Sequence, residues 1–178
     1  MYVLASHLKE LPVISLQTGE TVAMVRQPLI DTATLEISGY ICRTANHPAP
    51  LVLPVRDIRE HAQDCLIIDA EEELAEPNEL VRLRPLVEHN FTPIGKAAVT
   101  DLGRKLGRVE DFTINLETNR IQKLYIKQSI LQSWLGSSLI VDRTQIVDVS
   151  LKQIVVRDTT AKAPILAAEP SPAPKSQA

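Results

Sequence analysis

The chain repeats itself. Displaced by 84 positions, VISLQTGETVAMVRQPLIDTATLEISGYIC (Val13 to Cys42) lies over AAVTDLGRKLGRVEDFTINLETNRIQKLYI (Ala97 to Ile126). Gly19 falls on Gly103, Val22 on Leu106, Val25 on Val109, Ile30 on Ile114, Asp31 on Asn115, Thr34 on Thr118 and Ile37 on Ile121. After a length difference of four, the match resumes at 88 positions: Ile58 falls on Ile146, and CLIID from Cys65 on QIVVR from Gln153. Identities are few, but apolar and turn positions keep step, as a tandem duplication requires. A half of roughly 80 residues buries only about 60% of its unfolded surface and is marginal alone. The two halves are therefore expected to dock on each other and unfold together.

Gly103-Arg-Lys-Leu-Gly107 poses a choice between a phosphate loop and a strand turn. Gly19 and Gly103 agree, as a turn with a positive backbone angle demands. Gly107 is matched by Ala23, and Arg104-Lys105 by Glu20-Thr21. A phosphate cradle needs free amides at a helix start, whereas RVEDFTINL comes next with β-type residues. Leu106, Val109 and Phe112 are three apart, which breaks period two and predicts bulges, with Gly107 a natural place for one. The turn reads as a hairpin.

Each copy then reads as short strands. In the second they fall near Ala97–Thr100, Lys105–Asn115, Arg120–Lys127, Ser138–Val141, Gln145–Val149 and Gln153–Arg157. In the first they fall near Val13–Ser15, Glu20–Ile30, Leu35–Arg43, Leu51–Pro54 and Cys65–Asp69. Many short strands with few helical patterns predict an all-β barrel or sandwich. The halves meet at DAEEELAEPNEL (Asp69 to Leu80), with six acids and no base, a solvated connector with room for one helical turn. The expected division is residues 1–87 for the first repeat with its connector, 88–160 for the second, and 161–178 for a Pro/Ala-rich disordered tail.

The segments IGKAAVTDLGRKLGRVEDFTINLETNRIQKLYI (Ile94 to Ile126) and LIVDRTQIVDVSLKQIVV (Leu139 to Val156) resemble the PRC-barrel family. That family includes the cytoplasmic domain of the photosynthetic reaction-centre H subunit and the C-terminal domain of a ribosome-maturation factor. The resemblance is strong in the second half and weaker in the first, where Gln27 replaces the family-like Asp111. It implies two tandem small β-barrels with short helical turns, acting as an adaptor with no family-wide catalytic residues. Two PRC-like halves take the place of the maturation factor's different N-terminal domain and single barrel, so that assignment is not expected, nor is a membrane helix like the one before the barrel of the reaction-centre subunit.

Composition narrows the function classes. Aromatics make up 3% of the chain, which argues against a stacking platform for single-stranded nucleic acid. Cys42 and Cys65 form no CxxC pair and read as buried thiols rather than a disulfide framework. No signal peptide or 20-residue apolar run is legible, so a cytoplasmic protein is expected. Residues 1–87 carry seven Lys/Arg against thirteen Asp/Glu, and residues 88–178 carry twelve against nine. The second half supplies the one credible basic surface: Arg104, Lys105, Arg108, Arg120, Lys123 and Lys127.

Other candidates carry less. Asp57, His61 and Cys65 recur every four residues, yet IVDVSLKQ, their counterpart segment, has none of them, and coincidence is the preferred reading. No GxSxG or HExxH frame occurs, so no enzyme, metal or cofactor is assigned. In QSILQSWLGSSL, Leu131, Trp134 and Leu135 have helical spacing with Ile130. They either plug a barrel end, the preferred reading, or form an exposed anchor for a protein partner. The expected function is a non-catalytic adaptor for an unidentified protein, with an RNA- or ribosome-associated assembly factor as the alternative. A small-ligand or metal sensor ranks third.

Overall fold

The computed structural model describes residues 1–62, 64–128 and 138–158. The chain is mostly β, and its strands curl into a half-barrel sheet with few helices. The first half contains β1 (Tyr2–Leu4), the short helix α1 (Ala5–Leu8), β2 (Pro12–Ser15), β3 (Thr21–Asp31), β4 (Glu36–Arg43), β5 (Leu51–Pro54), β6 (Ile58–His61) and β7 (Leu66–Ile68). After α2 (Arg84–His89) come β8 (Ala97–Thr100), β9 (Lys105–Asn115), β10 (Arg120–Lys127), β11 (Ser138–Asp142), β12 (Ile146–Val149) and β13 (Gln153–Val156). No helix among the described residues is long and apolar enough to cross a membrane.

The elements recur as the sequence does. β3 and β4 reappear as β9 and β10 at 84 positions, and β6 reappears as β12 at 88. A 3-10 turn at Val55–Asp57 likewise returns at Arg143–Gln145. One alignment is corrected. Val13 pairs with Ala23 and Leu66, as Ala98 pairs with Gly107 and Ile154, so Val13 corresponds to Ala98 and not to Ala97. The cause is the turn, which has five residues (16–20) in the first half and four (101–104) in the second.

Bulges shape the long strands. Opposite Ala98 and Val99 the register jumps from Gly107 to Lys105, leaving Leu106 as the extra residue. Opposite Tyr125 and Ile126 it jumps from Asp111 to Val109, leaving Glu110. Each bulge resets which face the side chains enter. Leu106, Val109, Phe112 and Ile114 are therefore all buried despite their uneven spacing.

The sheet order is β12-β13-β8-β9-β10-β4-β3-β2-β7-β6, with β11 on β10, β5 on β4 and β1 on β9. Replacing each strand by its counterpart reverses this order, so the halves are related by an approximate two-fold through the β10–β4 junction. There Glu36 pairs with Arg120, its own counterpart. Ile37 N–H donates to Asn119 O at 2.6 Å, and Ile121 N–H donates to Leu35 O at 3.0 Å.

The lead-in segments cross between halves. β1 pairs with β9 (Val3 with Ile114), and Ser6 Oγ donates to Asp111 Oδ2 at 2.6 Å. At the corresponding place in the other half, Gln27 on β3 donates to Asn90, which closes α2. One apolar cluster draws residues from both halves, among them Leu8, Tyr40, Leu53, Phe91, Phe112 and Leu124.

Candidate functional site

The basic surface predicted from sequence occupies β9, β10 and the turn before them, but its charges are largely engaged. Arg104 Nη2 contacts Asp158 Oδ1 at 3.1 Å, Arg120 Nη2 contacts Glu36 Oε2 at 3.4 Å, and Lys127 Nζ contacts Glu110 Oε1 at 3.6 Å. Arg108 Nη1 donates to Gly95 O at 2.9 Å. Lys123 lies opposite Asp142. Bonds from the Thr144 N–H and hydroxyl, with a smaller pull from the Lys123 ammonium, hold the Asp142 carboxyl below its ordinary range. Lys105 is exposed at the start of β9. Neutralised pairs attract phosphate weakly, because each cation must first leave its carboxylate.

The Asp57, His61 and Cys65 stripe dissolves. Asp57 ends a 3-10 turn, His61 ends β6 and Cys65 precedes β7. Among the described residues no group of His, Cys, Asp and Glu gathers as a metal site. Cys65 is also half-buried rather than buried, whereas Cys42 is buried and its thiol is pushed up to about 12 by the loss of water. Leu131, Trp134 and Leu135, like residues 161–178, lie outside the described residues.

Two cavities bear on function. One, of about 320 Å³, lies beneath β1 and α1 and is lined by His7, Leu8, His61, Leu66, Thr113 and Leu116. His61 Nε2 and Thr113 Oγ1 are buried there and find no hydrogen-bond partner among the described residues. Since neither bonds the other, they do not form the nucleophile–base pair that covalent catalysis uses.

The other cavity, of about 340 Å³, is a groove of mixed lining beside β11, with Leu106, Leu139, Ile140, Val141 and Val156 interleaved with Thr100, Arg104, Gln128, Gln145 and Arg157. Its apolar residues are placed by alternation: Val141 and Val156 point into the core, and Ile140 stands on the opposite face of β11 at 54% exposure. The corresponding place in the first half is closed. Val52, the counterpart of Ile140, is 1% exposed, because Ala75 of the acidic connector bridges it. Val52 N–H donates to Ala75 O at 2.9 Å, and Ala75 N–H returns a bond to Val52 O at 3.0 Å. The register Ile41–Val52 recurs as Tyr125–Ile140, so the amide and carbonyl of Ile140 also face away from the neighbouring strand.

This edge was not legible beforehand. Val52 and Ile140 are alike in kind; Ala75 covers Val52, and no described residue stands in the same place beside Ile140. No known family model and no curated protein matches the chain.

Proposed function

We propose that the protein is a non-catalytic cytoplasmic adaptor built from two PRC-type barrels. It takes an extended segment of a partner protein along the outer edge of β11. The observation that carries this reading is the pairing of an exposed Ile140 with a groove of mixed polar and apolar lining and an outward backbone edge, where the first half has its own edge closed by Ala75. Such an edge offers a peptide main-chain hydrogen bonds for affinity and a pocket for specificity. An exposed strand edge is otherwise a liability that proteins blunt with charge or cover.

The test is affinity purification from native cells with and without nuclease, using the full chain and Ile140→Asp. A nuclease-resistant partner captured by the first and lost with the second is the expected result. Equal capture by both removes the β11 edge from the proposal. The alternative, an RNA- or ribosome-associated assembly factor, draws support only from the exposed cations of β9 and β10. Co-purifying RNA that is lost at raised salt and abolished by Lys105→Glu would favour it.

A further inference from the structure

The cavity of about 320 Å³ beneath β1 and α1 is built by both halves. β1 and α1 supply Leu4 and Leu8, and β6 and β7 supply His61 and Leu66. Thr113 and Leu116 come from β9 and the turn after it. The described lining is Ala, Val, Leu and Met apart from Tyr2, His7, His61 and Thr113. No Lys, Arg, Asp or Glu stands on the wall among the described residues, and the Met1 ammonium is held by Glu117 Oε1 at 2.7 Å. The cavity shares no described residue with the groove beside β11.

Two atoms on this wall, His61 Nε2 and Thr113 Oγ1, are buried and find nothing to bond among the described residues. Native interiors seldom leave such atoms unpaired. Nor does the fold require them. The counterpart of His61 is Val149, and that of Thr113 is Leu29, which is 1% exposed. At the same two places the other half manages with hydrocarbon. Water alone is a poor filling: at about 30 Å³ each, roughly ten waters would occupy such a volume, more than two side-chain atoms can hold. An apolar cavity of about 150 Å³ takes benzene, so this one has room for a body of roughly ten non-hydrogen atoms. With no cation on the wall to pair it, an anionic head would lose its hydration without return. Burial lowers the proton affinity of His61 and keeps the imidazole neutral. Its ring stands 6.2 Å from that of Tyr40, which is fully buried and backs it from the core. A neutral imidazole and a hydroxyl together can donate one hydrogen bond and accept another.

We propose that this cavity is a ligand site for a small uncharged amphiphile, an alkyl amide or alcohol of roughly ten non-hydrogen atoms. The head group bonds His61 Nε2 and Thr113 Oγ1, and the chain lies on Leu8, Leu11, Leu66 and Leu116. Because the wall is drawn from both halves, the bound molecule also stabilises their junction. The site stands whether or not a partner protein uses the β11 edge.

Octanamide, which matches this size and polarity, is the probe. Titrated into the isotope-labelled full chain, it should shift the methyl signals of Leu66 and Leu116 saturably, while those of Leu29 and Val149 stay in place. Thr113→Val keeps the shape of the side chain and removes its hydroxyl, and His61→Val copies the other half. Each should weaken octanamide binding by about three- to tenfold, the worth of one hydrogen bond. Octanoate at about pH 8, where its head is ionised, should bind at least about tenfold more weakly than octanamide. Equal octanamide affinity in the wild type and both variants would overturn the proposal, as would octanoate binding as tightly as octanamide. So would the absence of saturable shifts at Leu66 and Leu116 up to the solubility limit, which would leave the cavity to water.

Discussion

Gly107 and Gly103 look alike in the sequence but differ in what surrounds them. Gly107 has a φ of +146°, and a Cβ there would collide with the backbone carbonyl of Lys127. Gly103, at +82°, has open space around it. Gly107→Ala should therefore cost about 2–3 kcal/mol, from backbone strain and displacement of β10. Gly103→Ala should cost about 1 kcal/mol, from backbone angle alone. Urea denaturation of the two variants measures the difference, and equal losses would contradict the contact. His61 makes a second prediction at this scale. Burial holds its imidazole below its ordinary value of 6.5. The unfolded chain consequently takes up that proton at higher pH than the folded one. The stability that neutral His61 contributes is complete above its unfolded value and drains away as pH falls through the folded value. His61→Gln removes this dependence, so the stability gap between wild type and variant should narrow from about pH 8 to about pH 5. A gap that stays constant would place the imidazole in water.

The same 3-10 turn is stabilised differently in the two halves. Before Arg143–Gln145, Asp142 forms a capping box, accepting from Thr144 N–H at 3.0 Å while its own N–H donates to Gln145 Oε1 at 3.0 Å. Before Val55–Asp57 stands Pro54, with no side-chain cap. Asp142→Ala should lower the stability of the protein by about 1 kcal/mol, the ordinary worth of an N-cap, read from the urea midpoint at unchanged slope. A cap lies within a few residues of sequence, and so do most of the features that were legible in advance. The bounds expected for β8, β9 and β10 match the structure residue for residue, because alternation and the turns around Gly103 and NLETN are local signals. Bulges were legible too, from the spacing of Leu106, Val109 and Phe112. What escaped is non-local. β1 resembles any short apolar run until β9, more than a hundred residues away, offers it an edge. Cross-chain pairing of this kind leaves no periodic trace in either partner. The groove beside β11 escaped for the same reason, since its openness depends on a segment that closes β5 and has no described equivalent.

At the scale of the molecule, the two halves meet around an approximate two-fold. The β10–β4 junction itself is short, with two backbone hydrogen bonds flanking the Glu36–Arg120 pair. Such a joint could not alone couple the halves, and the crossed lead-in segments do more. β1 and α1 lend Val3, Ala5 and Leu8 to the face of β9, while Gln27 of β3 holds Asn90 and the buried Phe91 comes directly after it. Each half therefore borrows part of its cover from the other's leading residues. Residues 1–79 or 80–158 expressed alone, a cut that leaves α2 whole, would expose that face and lose the shared apolar cluster. The whole chain should melt in one calorimetric transition, and each isolated half should melt lower and over a broader range. Asp111→Ala and Ser6→Ala, which remove the two ends of one crossing hydrogen bond, should be non-additive by about 0.5–1 kcal/mol in a double-mutant cycle. Halves that melt as sharply and as hot as the whole, with additive effects at Ser6 and Asp111, would show two independent units in one chain. Broadened melts that sharpen when the halves are mixed would show that contacts across the junction, the lead-in segments and the Arg143 bond to Thr34 O among them, carry the coupling.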